Sequence, residues 1–241
     1  MINKQPYIVI NGVNSQSLPG LLIQQLPPIT KPLMRATIEQ IDGRDGDIIT
    51  PLGYAAYDKQ FKIGLSRGFS IDDIVKFFNQ SGRVIFSNEP EKYYNFTLLN
   101  QIDFTRLLRF KEATVTLHVQ PFKFAVLENT KTFSFDGSTE KEFYIRNNGN
   151  YYSKPTIAVK GTGNVYLSLN GVQILGLEFT AANPEIIISA ADMNAYAPDG
   201  KLLNRSVSGD YDNIKFEVGE NKISFTGSVQ EIKITNFSRW L

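Results

Sequence analysis

Alternating hydrophobic and polar positions dominate the first half of the chain and predict strands. Tyr7-Ile8-Val9-Ile10 runs into Asn11-Gly12, a strand ending in a tight turn. Met34 to Ile41 alternates until Asp42-Gly43-Arg44-Asp45-Gly46-Asp47, where two glycines among short polar residues supply the positive φ angles of a turn. In Lys59 to Leu65, Phe61, Ile63 and Leu65 share one face, and Ala113 to Gln120 alternates as cleanly until Pro121 stops it. Arg83 to Phe86 and Tyr93 to Leu99 also read as strands. Residues 18–32 carry Pro19, Gly20, Pro27, Pro28 and Pro32 and read as an extended connection, since proline has no N–H for a central ladder. One helix interrupts the pattern at about 71–81. Ser70 is its cap, Asp73 completes a capping box, and Ile71, Ile74, Val75 and Phe78 follow helical spacing, with Gly82 placed to end it.

Beyond Phe124 the texture changes. Phe133 to Ile145 carries acidic, Gly- and Ser-containing turns. From Thr156 onward short strands recur at roughly ten-residue intervals, the signature of a sandwich or barrel. They are Ile157 to Val159, Val165 to Leu169, Glu185 to Ser189, Ile214 to Val218, Lys222 to Phe225 and Val229 to Ile234. Lys160-Gly161-Thr162-Gly163, Asn170-Gly171, Gly219-Glu220-Asn221 and Thr226-Gly227-Ser228 read as the turns between them. The expected organisation is a mixed, barrel-like β domain with one helix over residues 1–130, followed by an all-β sandwich over 131–241.

Composition narrows the function classes. The 241 residues hold 25 basic and 24 acidic side chains, and 12% are aromatic, which suits strands. Residues 1–125 hold 14 Lys/Arg against 11 Asp/Glu, a balance of +3, and residues 126–241 hold 11 against 13, a balance of −2. Neither half has the basic run that displaces counterions from nucleic acid. With no cysteine, thiolate zinc sites, disulfides and cysteine nucleophiles are excluded. No apolar stretch approaches the ~20 residues of a membrane span, and the N-terminus lacks a leader pattern. The reading is a soluble, unsecreted chain.

Candidate chemistry is sparse. His118 is the single histidine and falls on a strand, opposite in phase to Val115, Leu117 and Val119. The Asp42 to Asp47 loop is the best place for a calcium ion, but its spacing misses the EF-hand pattern and Arg44 sits among the carboxylates. Asp72 and Asp73 fit the first turn of a helix, where negative charge complements the dipole. No phosphate-cradling loop and no nucleophile elbow occur. The residues suggest no catalytic, metal or cofactor site.

Several runs, in order, resemble the distal tail (Dit) proteins of long-tailed phages. They are Asp42-Gly43-Arg44-Asp45-Gly46, Gly82 to Tyr94, and Phe110-Lys111-Glu112-Ala113 leading to Val119-Gln120-Pro121-Phe122. In the second half they are Gly163-Asn164-Val165, Leu169-Asn170-Gly171, Gly209-Asp210-Tyr211, Gly219 to Ile223, Gly227 and Arg239-Trp240. The resemblance implies a non-enzymatic tail-tip protein of the virion, assembled in the host cytoplasm, whose first domain closes a homo-hexameric ring. Its second domain would be a galectin-like sandwich, with the last strand, after about 229, able to rejoin the first domain. The implied partners are the tail tube protein, the tail-tip protein and receptor-binding or baseplate proteins. DNA would pass the lumen unread. Arg44, Asp45 and Arg67 are the expected ring-contact residues, chosen as charges in turns.

Two other readings compete. A carbohydrate-binding module would use an aromatic platform, with Tyr151, Tyr152 and Tyr196 as candidates, since Trp240 is penultimate and the second half has no histidine. A cell-wall hydrolase would need two carboxylates across a cleft, drawn from Glu178, Glu185, Asp192 and Asp210.

Overall fold

The computed structural model describes residues 5–128, 130–136 and 140–241. Part of the N-terminal leader reading and part of the Phe133 to Ile145 turn reading lie outside them. The chain divides into two compact units, Met1–Val126 with Leu241, and Leu127–Trp240. No helix among the described residues is long and apolar enough to cross a membrane.

The first unit contains β1 (Ile8–Ile10), β2 (Val13–Asn14), β3 (Leu21–Gln25), β4 (Met34–Gln40), β5 (Asp47–Tyr54), β6 (Tyr57–Leu65), α1 (Ile71–Phe78), β7 (Gly82–Phe86), β8 (Lys92–Thr97), α2 (Phe104–Phe110) and β9 (Glu112–Ala125). An antiparallel sheet runs β2–β1–β7–β8–β9–β6–β3. Its inward-facing residues include Ile10, Ile23, Phe61, Ile63, Val84, Phe96, Val115 and Leu117, and they form one core with Ile74, Phe77 and Phe78 of α1. The period-two pattern thus sets the buried face, and the 3.6-residue pattern of α1 covers it. The Ser70 hydroxyl accepts from the Asp73 N–H at 3.3 Å, as a capping residue should.

Three local differences from the sequence reading have physical causes. β3 lies inside the proline-rich connection, because Pro19 and Pro27 fall just outside it and leave Leu21 and Ile23 to alternate into the core. α1 ends at Phe78, and Gly82 instead opens β7, where the Asn11 side chain packs against its bare Cα and accepts from the Arg83 N–H at 2.8 Å. A second helix, α2, adds to the first. Its Asp103 cap accepts from the Arg106 N–H at 2.8 Å, yet of its seven residues only Leu107 is buried, so no apolar stripe announces it.

The second unit contains β10 (Lys131–Ser134), β11 (Glu140–Asn147), β12 (Thr156–Leu169), β13 (Val172–Phe179), β14 (Glu185–Ser189), β15 (Asn194–Tyr196), β16 (Val207–Gly209) and β17 (Gly219–Thr235). β12 and β17 are long and change neighbours part-way. One half of the pair continues to β14, β15 and β10, the other to β13, β16 and β11. Both halves contribute to one core, Ile157, Val159, Ile232 and Ile234 from the first and Val165, Leu167, Ile223 and Phe225 from the second. Strands that bend through bulges to serve two layers make the corners of such packings.

The bend explains a misreading. Lys160 to Gly163 and Thr226 to Ser228 look like turns between separate strands, but the structure runs through both as bulges in continuous strands. Gly227 has φ +104°, and a Cβ there would lie 2.3 Å from the Asn164 carbonyl oxygen. Glycine is required because two backbones approach at that point. Ile214 to Val218 is likewise no strand; Phe216 makes an isolated bridge to Ser153, with Ile214 and Phe216 fully buried. Asn170 and Gly171 do form the expected hairpin turn, both at positive φ, between Leu169 and Val172.

Candidate functional site

Among the described residues β4 and β5 pair only with each other and form a two-stranded sheet of their own. In register, Ile38 lies opposite Ile49 and Ala36 opposite Pro51, so Ala36, Ile38, Ile49 and Pro51 share one face. Arg35, Thr37, Glu39 and Thr50 share the other. Ile38 is 61% exposed, and Ile49 and Leu52 are each 57% exposed. Leu52 is the extra residue of a bulge between Arg35 and Ala36. An isolated two-stranded sheet is marginal in water, and contiguous exposed apolar surface marks a contact site. Arg44 and Asp45 fall at the tip of this hairpin, in the turn closed by the Arg44 N–H donating to the Ile41 carbonyl at 3.1 Å. Gly43 and Gly46 there have φ +81° and +78°.

The hairpin is rooted by a strap, residues 26–33, held by its own carbonyl oxygens. Asn88 Nδ2 donates to Pro27 O (3.0 Å), Lys59 Nζ to Pro28 O (2.8 Å) and Tyr57 Oη to Thr30 O (3.4 Å). The Ala55 N–H donates to the Leu33 carbonyl, and the Tyr54 ring meets Phe122 edge-on at 5.8 Å. Proline carbonyls suit this role, since they accept without a backbone N–H to satisfy in return.

Lys59 occupies an inward-facing position of β6, in phase with Phe61 and Ile63, and is only 3% exposed. Its ammonium lies 4.9 Å from the Tyr94 ring centroid. Burial lowers its pKa to about 8, against the opposing pull of the nearby Glu89 carboxylate. Glu89 accepts from Lys123 Nζ and from Tyr94 Oη, both at 3.0 Å. Burial pushes the Glu89 carboxyl upward, but these hydrogen bonds and the charges of Lys123 and Lys92 outweigh it, and its pKa ends lowered. Sequence reading missed this cluster; lysines in the core phase of two strands were the available signal.

Arg67 stands elsewhere, in the exposed turn beyond the last residue of β6, at the far end of that strand from the hairpin. The Leu65 N–H donates to the Lys111 carbonyl, and Lys111 Nζ lies 4.9 Å from the Phe69 ring centroid, so the Arg67 turn adjoins the end of α2. α2 brings exposed Arg106, Arg109, Leu108 and Phe110 to this place. The structure therefore separates the three expected contact residues into two surfaces.

Several of the remaining candidates have local structural partners. His118 Nδ1 lies 2.8 Å from Asp58 Oδ1, its cross-strand neighbour. Arg239 covers the rings of Tyr151 and Tyr152, at 5.2 and 4.5 Å, and Lys215 lies 5.4 Å from the Tyr152 centroid. Tyr196 is half-buried on β15. Asp192 accepts from the Ser189 hydroxyl, and Asp210 caps a short 3-10 turn by accepting from the Asp212 N–H. Glu178 and Glu185 lie on β13 and β14. Among the described residues no group of three or more His, Asp or Glu side chains is placed to hold a metal ion.

No family model matches the sequence, and no curated protein is similar to it. Solved structures are. The Dit (gp 19.1) protein of phage SPP1, described as a paradigm of the hub adsorption apparatus in phages infecting Gram-positive bacteria, superposes with a TM-score of 0.71 at 14% identity, covering 99% of this chain and 100% of that one. Chains of the phage P2 baseplate in its activated conformation, with Ca and with Sr, superpose with TM-scores of 0.50 and 0.52 at 11% identity, each covering 95% of this chain and 97% of theirs. Along essentially its whole length the chain has the fold of the SPP1 Dit protein.

Proposed function

We propose that this chain is a non-enzymatic structural component of a phage tail tip that closes a homo-hexameric ring through its first unit. The observation that carries the reading is the β4–β5 hairpin, whose apolar face has no cover within its own sheet. A ring repeats one heterologous contact by rotation, so each copy needs two different complementary surfaces. The hairpin is one of them, with Arg44 and Asp45 at its tip, and the Arg67 turn belongs to another. The whole-length likeness to a hub protein supports the placement at the tail tip. There the ring would join the tail tube to the tail-tip protein, and the second unit, a galectin-like sandwich, would present receptor-binding or baseplate proteins. DNA passes the lumen without being read, in keeping with a net charge of +1. No observation favours a sugar platform, because cationic side chains occupy the Tyr151 and Tyr152 rings.

Negative-stain electron microscopy of the purified chain tests this reading. Class averages with six-fold symmetry and an open centre are expected. Particles of single-chain size throughout, at concentrations well above those of assembly in a host cell, would overturn it.

A further inference from the structure

The two exposed surfaces of the first unit carry opposite charge on an apolar ground. Across residues 34–54, Arg35 and Arg44 stand against Glu39, Asp42, Asp45 and Asp47, a balance of −2. Three of those carboxylates cluster at the tip, next to exposed Ile38, Ile41 and Ile49. At the other end of β6, Asp72 and Asp73 occupy the first turn of α1, while on the Arg67 turn and α2 Arg67, Arg106, Arg109 and Lys111 stand against Asp103 and Glu112, a balance of +2 for that set. Both of those acids are engaged locally, Asp103 capping α2 and Glu112 lying 3.7 Å from Arg106. The Arg109 guanidinium lies 5.3 Å from the Phe110 ring centroid, and Phe110 is 61% exposed. Among the described residues Asp42, Asp45, Asp47, Arg67 and Arg109 have no ion-pair partner.

We propose that the tip of the hairpin of one copy docks on the α2 face of the next copy. Asp42, Asp45 and Asp47 approach Arg67 and Arg109, and Ile38 and Ile49 cover Leu108 and Phe110. The proposal rests on the ring reading and names its contact. Three observations favour a second copy as the occupant. The charges are complementary, and each surface exposes apolar residues that the other would remove from water. The surfaces also lie at opposite ends of β6, which has nine residues and so spans about 30 Å. A contact between them cannot be made within one copy that keeps this fold, and repeats head to tail between copies. The charged rim fixes register and speeds encounter, while the apolar centre holds the contact. Assembly by this contact weakens with added salt, which screens exposed charges beyond a Debye length of about 8–10 Å.

The test is charge reversal in the full-length chain, read by sedimentation velocity over a concentration series. One variant carries Asp42→Lys, Asp45→Lys and Asp47→Lys, the second carries Arg67→Glu and Arg109→Glu, and the third combines both sets. All of these positions are exposed, and unchanged thermal unfolding checks the fold. The milder pair Asp45→Asn and Arg109→Gln serves if a reversed variant misfolds. Each set alone is expected to raise the concentration needed for assembly at least tenfold, and the combination to restore it. Assembly that resists either single set, or that the combination fails to restore, overturns this contact while leaving the ring standing. Loss with the hairpin set alone would assign the α2 face to a different protein and likewise overturn the pairing. A wild-type chain that stays single overturns the ring itself, and this contact with it.

Discussion

Lys59 and Glu89 show how a polar cluster is built into a hydrophobic phase. Lys59 is protonated in the unfolded chain up to its ordinary pKa near 10.5 but in the folded chain only up to about 8. Between those values the unfolded state binds more protons, so this group makes stability rise with pH. Tyr57 and Tyr94 act oppositely: burial raises both, so above about pH 10 they ionise only in the unfolded chain and stability falls. The expected result is a gain of ~2 kcal/mol in unfolding free energy between pH 8 and 10 from Lys59. Denaturant titrations at several pH values should show it in the wild type and not in Lys59→Met. Glu89→Gln should be more damaging at neutral pH. It leaves the Lys123 ammonium, 5% exposed, without its counter-charge, and breaking one side of a buried pair costs roughly 3–5 kcal/mol. The denaturant midpoint at pH 7 measures that loss.

At the scale of elements, the long bent strands β12 and β17 set the second unit. Gly227→Ala places a methyl group against the Asn164 carbonyl at a backbone angle suited to glycine. A loss of more than ~2 kcal/mol is expected, and thermal unfolding followed by circular dichroism checks it. The same residue shows what the sequence conceals. Glycine between two alternating runs signals a turn or a bulge with equal force, and only the pairing of β12 with β17 decides for the bulge. Where one face alone is buried, as in β6 and β9, alternation finds the apolar inward residues, but not Lys59 and Lys123 in the same phase, nor that β9 runs through Pro121 to Ala125. β3 was hidden by flanking prolines and α2 by having a single buried residue. Of the candidate site, the turn holding Arg44 and Asp45 was legible because its glycines had to take positive φ. The basic face was not, since Arg67 and Arg109 lie far apart in sequence and their segments are brought together by tertiary contacts such as the hydrogen bond from Leu65 to Lys111.

For the whole molecule, near-zero net charge conceals a useful division of charge. The first unit puts acids at the tip of a hairpin and bases on α2, a polarity that would direct copies head to tail in the proposed ring. The two strands of the hairpin expose Ile38, Ile49 and Leu52, the kind of apolar surface that marks a contact site. Truncating the hairpin to a short Asn-Gly turn between residues 33 and 55 should therefore leave a folded monomer, with the Lys59 cluster and both cores intact, that no longer assembles. Size-exclusion chromatography with a thermal-unfolding control reads both parts of that expectation.

The molar mass of the purified wild-type chain, by light scattering over a wide concentration range, tests whether it closes a ring. A six-membered ring predicts a species approaching six times the 27.1 kDa chain mass as concentration rises. A mass that stays at 27.1 kDa up to the highest concentration reached would contradict it.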